Sequence, residues 1–414
     1  MKMSGNKSAA AVIWNIIGSG LNAGQAAILL VFISRKYGTG EAGILTIAYA
    51  IGNLFLTAGK YGVRNFQATD NSGKVSFQNY LKGRILSVSA ALFIAVLFLS
   101  FFYMGGRYDS HKCQIIFLIV VLKQTDALED VFLGRLQQAG HFGTGARIMA
   151  LRQMAVTALI CIGIICRDSI QASLLSGIAV SLLTGICMLA SEKELIWEKA
   201  EERKNTDSIS YLMRKCFPLF LGSTLAMYVG NMPKYITDLY MDGDTQAILG
   251  YIMLPVFMVT LASQFIYQPF VKELGDLWDT GLIPKFKSRV KKQAIFILAT
   301  ALIVLLVSLW AGLPLLSLIY HMNLNGYYSE FTIILAGGSL YALAAYLNIP
   351  LTILGKQNMI AAGYGGAAAF ALTFGRMICQ KGGLTGAALL YMTVNAGLVI
   401  MFGFTVRNEA GKEC

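Results

Sequence analysis

Residues 85–106, Ile85 to Gly106, read ILSVSAALFIAVLFLSFFYMGG, an unbroken stretch of 22 residues without a charge. A helix needs about 20 mostly apolar residues to cross the hydrocarbon core of a bilayer. Comparable uncharged runs fill Ser8–Ser34, Ala42–Gly59, Ser169–Ser191, Cys216–Pro233, Thr245–Val271, Gln293–Ser329, Phe331–Gly355, Gln357–Gly375 and Gly382–Val406. Two further stretches qualify with charges inside them, Cys113–Gly134 and Arg147–Cys166. The pattern predicts an all-α integral membrane protein of twelve transmembrane helices.

Composition agrees. Of the 414 residues, 56% are hydrophobic and 14% charged, against roughly 25% charged in soluble domains. That excludes a soluble enzyme, a disordered chain and a disulfide scaffold. The net charge of +12 sits in short loops between apolar runs, so it reads as topology and not as a nucleic-acid footprint. Loops on the N-terminal side of the membrane carry 25 of the 34 Lys and Arg, the opposite side carries 8, and Lys123 lies inside span four. Both termini are therefore expected in the cytoplasm. The seven cysteines and three histidines form no metal or disulfide framework, and no cofactor is expected.

The charged segment Ser191–Lys215 lies between spans six and seven. It reads as a solvated linker dividing the chain into lobes at 1–205 and 206–414. Related phrases, Tyr37–Gly43 and Met241–Gly250, open the second span of each half. Two six-helix lobes around a central cavity are a common transporter plan.

Span four carries the chemistry. Lys123, Asp126 and Asp130 follow i, i+3, i+7 and share one helical face, with Glu129 beside them. Each charge at a lipid-facing helix centre costs about 2.5–3.5 kcal/mol, while each large aliphatic returns only about 0.3–0.6. Four charges outweigh the aliphatics, so this helix must face protein or water. Its three carboxylates exceed its one lysine, and Arg152 and Arg64 are the nearest further cations by depth. The plainer alternative is a self-neutralising Lys123–Asp126 pair.

Span seven places Met227, Asn231, Lys234 and Asp238 along one face, and there the plainer reading is Lys234 reaching to the membrane interface. Span one carries Asn15, Ser19, Asn22 and Gln25 as a polar stripe, fit for helix–helix hydrogen bonds or a wet cavity. Nothing pairs a nucleophile with a base, and no ATP-binding segment is evident. Any work must draw on a gradient or an equilibrium.

Several phrases resemble bacterial polysaccharide flippases, which belong to the multidrug/oligosaccharidyl-lipid/polysaccharide exporter superfamily. They are Gly59–Asp70 after span two and the spaced Asp126, Asp130, Gly134 and Gln137 of span four. Others are Asn231 with Lys234, Gly250-Tyr251, and Leu354–Asn358. The resemblance implies a flippase that moves undecaprenyl-pyrophosphate-linked oligosaccharide units to the outer leaflet, for O-antigen or capsule, by alternating access in the bacterial inner membrane. Lipid II flippases of that superfamily usually have fourteen spans.

On this reading Lys123, Arg152, Lys234 and Arg64 attract the headgroup. Asn15, Asn22, Gln25 and Asn231 line the substrate path, and Asp126, Asp130 and Asp238 are the candidate ion-coupling groups. The surplus of carboxylates on span four sits awkwardly with a simple phosphate site. A polysaccharide polymerase is a candidate partner, no nucleic acid is implied, and a monomer is expected because the cavity would form within one chain. The competing readings are a cation-coupled multidrug extruder of the same architecture and an integral membrane glycan polymerase or ligase. The short outer loops argue against the last.

Overall fold

The computed structural model describes residues 5–69, 75–191, 193–194 and 208–412. Most of the expected linker, including the 205/206 lobe boundary, and Asp70 of the Gly59–Asp70 phrase lie outside the described residues. Among the described residues there is no strand. In lipid every backbone polar group must be satisfied within its own segment, and apolar runs of this length do so as helices.

The chain divides into two compact units, Met1–Thr224 and Leu225–Cys414. The first contains α1 (Gly5–Tyr37), α2 (Thr39–Lys60), α3 (Val63–Thr69), α4 (Phe77–Met104), α5 (Ser110–Gln138), α6 (Phe142–Cys166) and α7 (Ile170–Ser191). Helix α8 (Ile209–Tyr240) begins in the first unit and ends in the second. The second unit continues with α9 (Gly243–Ile252), α10 (Leu254–Tyr267), α11 (Val271–Asp279), α12 (Ile283–Val307), α13 (Leu313–Tyr320), α14 (Tyr328–Ile353) and α15 (Gln357–Lys412). Helix α15 bends at Gly383, where φ is 54° and ψ −141°, a conformation that glycine adopts without strain.

Among the described residues nine helical segments are long and apolar enough to cross a membrane. They leave out α5, with its four central charges, and the less apolar α8, and they count the bent α15 once. Adding those two helices and counting both arms of α15 gives twelve membrane-length rods, six in the first unit and six that lie in or end in the second.

Local chemistry marks the ends. Asp109 caps α5 by accepting from the Lys112 amide at 2.7 Å, and Asp242 caps α9 by accepting from the Thr245 amide at 2.7 Å. The Lys36 ammonium closes the other kind of end. It donates to the Ile164 and Arg167 carbonyls of the α6 terminus at 2.8 and 2.7 Å. His111 at the start of α5 ties three helices together: its Nε2 lies 2.9 Å from Glu41 of α2, and its Nδ1 2.9 Å from Gln171 of α7.

Apolar association in lipid depends on close packing at small residues. Gly18 of α1 lies against Met149 and Ala150 of α6, and Gly337 of α14 lies against Tyr391 and Met392 of α15. Gly177 of α7 is the tightest of these seams, since a Cβ there would fall inside the Ile160 side chain of α6. Gly177→Val is expected to part α6 from α7 and cost about 1–3 kcal/mol, as overpacking of a filled core does. A lowered melting temperature in detergent checks it. Elsewhere large apolar side chains point outward, Phe93 and Phe101 of α4 among them, as a lipid-facing surface requires.

Candidate functional site

The site is organised along α5, where the apolar stretch Ile115–Leu122 is followed by Lys123, Asp126, Glu129 and Asp130, all within the interior of the first unit. All four are buried, as are Arg152 of α6 and Arg84 of α4. Buried ions persist only where partners replace water, and here they form two adjoining clusters.

The first cluster is centred on Asp126. Its Oδ1 accepts from Arg152 at 2.5 Å and from Gln153 at 3.0 Å, and its Oδ2 accepts from Asn22 at 3.2 Å and Lys123 at 3.4 Å. Lys123 also donates to Gln25 at 3.1 Å and lies 5.3 Å from the centre of the Tyr49 ring. Gln25 in turn donates to Thr157 at 3.1 Å. Arg152 continues to Glu129 at 2.7 Å and Ser181 of α7 at 2.5 Å. Two cations and two carboxylates cancel, and four helices are joined: α1, α5, α6 and α7.

The second cluster is centred on Asp130, one turn along α5. Its Oδ2 accepts from Arg84 at 2.9 Å, its Oδ1 from Arg64 at 3.1 Å, and Lys60 lies 3.7 Å from Oδ1. Arg84 and Ser87 also donate to the Gly59 carbonyl at 3.0 and 2.6 Å, which fixes the end of α2. Arg64 reaches Gln137 at 3.3 Å. Three cations surround one carboxylate, so this cluster carries a surplus of two positive charges. Arg84 is fully buried, while the Lys60 and Arg64 side chains remain 40% and 29% exposed.

The structure thus brings Asn22, Gln25, Lys123, Asp126 and Arg152 into one network, and Arg64 and Asp130 into its neighbour. Asn15 of α1 is half-buried without a polar partner among the described residues. In the second unit Asn231 donates to the Met227 carbonyl at 3.2 Å, and Asp238 is half-buried two turns further along α8. Lys234 between them is half-buried, and among the described residues it has no ion pair or hydrogen bond. Beside it Tyr228 and Tyr235 stack with ring centres 5.2 Å apart.

Sequence reasoning passed over Arg84 and Lys60, having counted both as loop cations. The signal was present in the excess of carboxylates on span four, which demanded more cations than Arg152 and Arg64. Among the described residues no group of three or more His, Cys, Asp or Glu side chains is arranged to hold a metal ion.

The fold is that of known membrane transporters. An inward-closed lipid II flippase, MurJ, superposes with a TM-score of 0.67 at 13% identity, covering 99% of this chain and 90% of that one. A Vibrio cholerae MATE transporter, VcmN, in its bent form gives 0.63 at 12% identity, over 98% of this chain and 99% of that one. An inward-facing multidrug resistance MATE family transporter of the MOP superfamily gives 0.61 at 9% identity, over 95% and 98%. No protein-family model matches the sequence, and no curated protein matches it.

Proposed function

We propose that this chain is a flippase that carries polyprenyl-pyrophosphate-linked oligosaccharides between membrane leaflets by alternating access. The observation that supports it is the charge imbalance around α5. Five cations (Lys60, Arg64, Arg84, Lys123 and Arg152) meet three carboxylates, and the surplus lies where Lys60 and Arg64 remain part-exposed. A pyrophosphate cannot cross hydrocarbon unaided, and one phosphate–ammonium contact at 4 Å is worth about 4 kcal/mol at an effective dielectric of 20. Two or three such contacts suffice to hold the headgroup while the lipid tail stays in the bilayer.

We assign the roles differently from the sequence expectation, because the pairing of the cations differs. Lys123 and Arg152 are buried against carboxylates and serve to hold Asp126 and Glu129 in place. Headgroup attraction falls to Arg64 and Lys60 in the first unit and to Lys234 in the second. The stacked tyrosines and Asn231 beside Lys234 suit the glycan, since aromatic rings present an apolar face with a polar tip. On this reading the chain is a transporter and not an enzyme. It works in a bacterial inner membrane with both termini cytoplasmic, as a monomer, and with a polysaccharide polymerase as a candidate partner.

Reconstitution with a fluorescent polyprenyl-pyrophosphate sugar tests it. The double variant Lys60→Gln/Arg64→Gln is expected to slow transbilayer movement at least tenfold, the loss of one contact of about 1.4 kcal/mol or more. Wild-type protein that moves no such lipid but extrudes cationic dyes in an Asp126-dependent way would establish the multidrug alternative instead.

A further inference from the structure

A groove of about 600 Å³ opens within the first unit between α4, α5 and α7. Along α7 it runs from Ser181 to Ala190, about 14 Å at 1.5 Å per residue. That is close to half of a hydrocarbon core about 30 Å thick, so the groove has the depth of one leaflet. Ile85 of α4 and Ile186 of α7, on its walls, are 50% and 64% exposed, so its mouth opens on the surface that faces lipid.

The interior of the groove offers little to water. The Thr125 hydroxyl donates to the Leu122 carbonyl at 2.7 Å and lies 2.7 Å from the Ser181 hydroxyl, which also accepts from Arg152 at 2.5 Å. Glu129 and Arg152 are buried and pair with each other at 2.7 Å, and their two unpartnered atoms are shut away from the surface. An ordered water needs two to four polar partners, and here the polar groups are spent on one another or enclosed. The rest of the wall is hydrocarbon, with Leu128, Phe132, Leu182 and Leu189 along it.

Unpaired charge enters at one end alone. Lys193, just past α7, lines the groove there, is exposed, and among the described residues has no ion pair or hydrogen bond. Lys82, which adjoins Leu81 of the lining, is exposed at the same face of the membrane, where α4 begins and α7 ends. An apolar trough of one leaflet's depth with a cation at headgroup level is complementary to an anionic lipid.

We propose that this groove binds one anionic phospholipid, with an acyl chain lying along α7 and the phosphate at Lys193. The inference needs only that the chain spans a bilayer and does not depend on what it carries. The lipid tail of a substrate fits the place less well. Arg64 and Lys60 meet Asp130, which is two residues from both Leu128 and Phe132 and so roughly 200° round α5 from the groove. A headgroup held there leaves its tail on another side of the helix.

Two features make the site testable without disturbing the buried network. At Gly185 of the lining an added Cβ would meet only the Arg152 Cδ, at 3.9 Å, so a larger side chain there enters the groove at ordinary contact distance. A second groove, of about 360 Å³, lies further along the same stripe of α4, lined by Leu99, Ser100, Tyr103, Cys113 and Phe117 among others and by no charged residue. It serves as the control.

Native mass spectrometry of the full chain, stripped of lipid in detergent and titrated with phosphatidylglycerol or phosphatidylcholine of matched chains, tests the site. The wild type should take one phosphatidylglycerol about fivefold more tightly than phosphatidylcholine, the worth of one lysine beside an anionic headgroup. Lys193→Gln, an exposed change, should abolish that preference and keep the binding of both lipids. Gly185→Phe should weaken both at least tenfold, and Ile186→Trp, entering from the exposed rim, should repeat the loss. Ser100→Phe in the second groove should alter neither affinity nor preference. Equal affinity for the two lipids in the wild type, a preference that survives Lys193→Gln, or undiminished binding in Gly185→Phe and Ile186→Trp would overturn the proposal. A polyprenyl pyrophosphate that binds more tightly than phosphatidylglycerol and is likewise lost in Gly185→Phe would assign the groove to a substrate's tail and overturn it too.

Discussion

Replacing Asp126 with leucine is expected to destabilise the first unit by about 3–5 kcal/mol, the cost of leaving a buried ion without its partner. Four donors converge on this carboxylate: Asn22, Lys123, Arg152 and Gln153. Without it Lys123, at 1% exposure, keeps only the Gln25 carbonyl and the Tyr49 ring, and Arg152 keeps only Glu129 and the hydroxyls. For a unit of about this size each kcal/mol moves the midpoint by roughly 2–4 °C, so melting in detergent should fall by roughly 6–20 °C. The double variant Lys123→Met/Asp126→Leu should recover more than half of that loss, because it removes the stranded ammonium together with the carboxylate. Glu129→Gln should cost less than Asp126→Leu, since the amide oxygen can still accept from Arg152, which keeps Asp126 as its ion partner. Equal losses for Asp126→Leu and the double variant would show that Asp126 is not the hub of the network.

The fold was legible because lipid simplifies the code. Uncharged runs such as Ile85–Gly106 admit one solution, and the spans could be counted without knowing any contact. Charges within spans were equally legible as a demand for partners, and Arg152 and Arg64 could be named from depth alone. What the sequence did not reveal was the geometry of satisfaction. Arg84 stands beside Lys82 at the start of α4, and by position it reads as another loop cation. Only the packing of α4 on α5 buries it against Asp130. For Lys123 and Arg152 depth gave the burial but not the partners. Lys123 meets Asp126 one turn along its own helix, and Arg152 meets Asp126 and Glu129 across the α5–α6 seam. Glu129, offset from the face shared by Lys123, Asp126 and Asp130, drew no role from spacing. Its distinction is a single unpartnered oxygen, which no one-dimensional pattern records.

Lys234 is where stability and function should part company. It is half-buried on α8, and among the described residues nothing pairs with it. A lysine at the centre of a lipid-facing helix costs about 2.5–3.5 kcal/mol, and reaching toward the interface relieves part of that. Lys234→Met keeps the length and apolar stem while deleting the charge, so melting in detergent should hold or rise. Transport should move the other way. If Lys234 meets a phosphate, the contact is worth up to about 4 kcal/mol at an effective dielectric of 20, so the rate should fall between roughly tenfold and a thousandfold. Lys234→Arg, which keeps a cation that can still grip phosphate, should retain most of the activity. The opposite signs are the diagnostic. A structural anchor would lose stability on substitution and keep its transport rate per folded molecule, whereas a headgroup ligand loses rate alone. Lys234→Met that transports lipid-linked sugar at the wild-type rate would return this residue to the membrane interface and leave Arg64 and Lys60 as the cations that receive the headgroup.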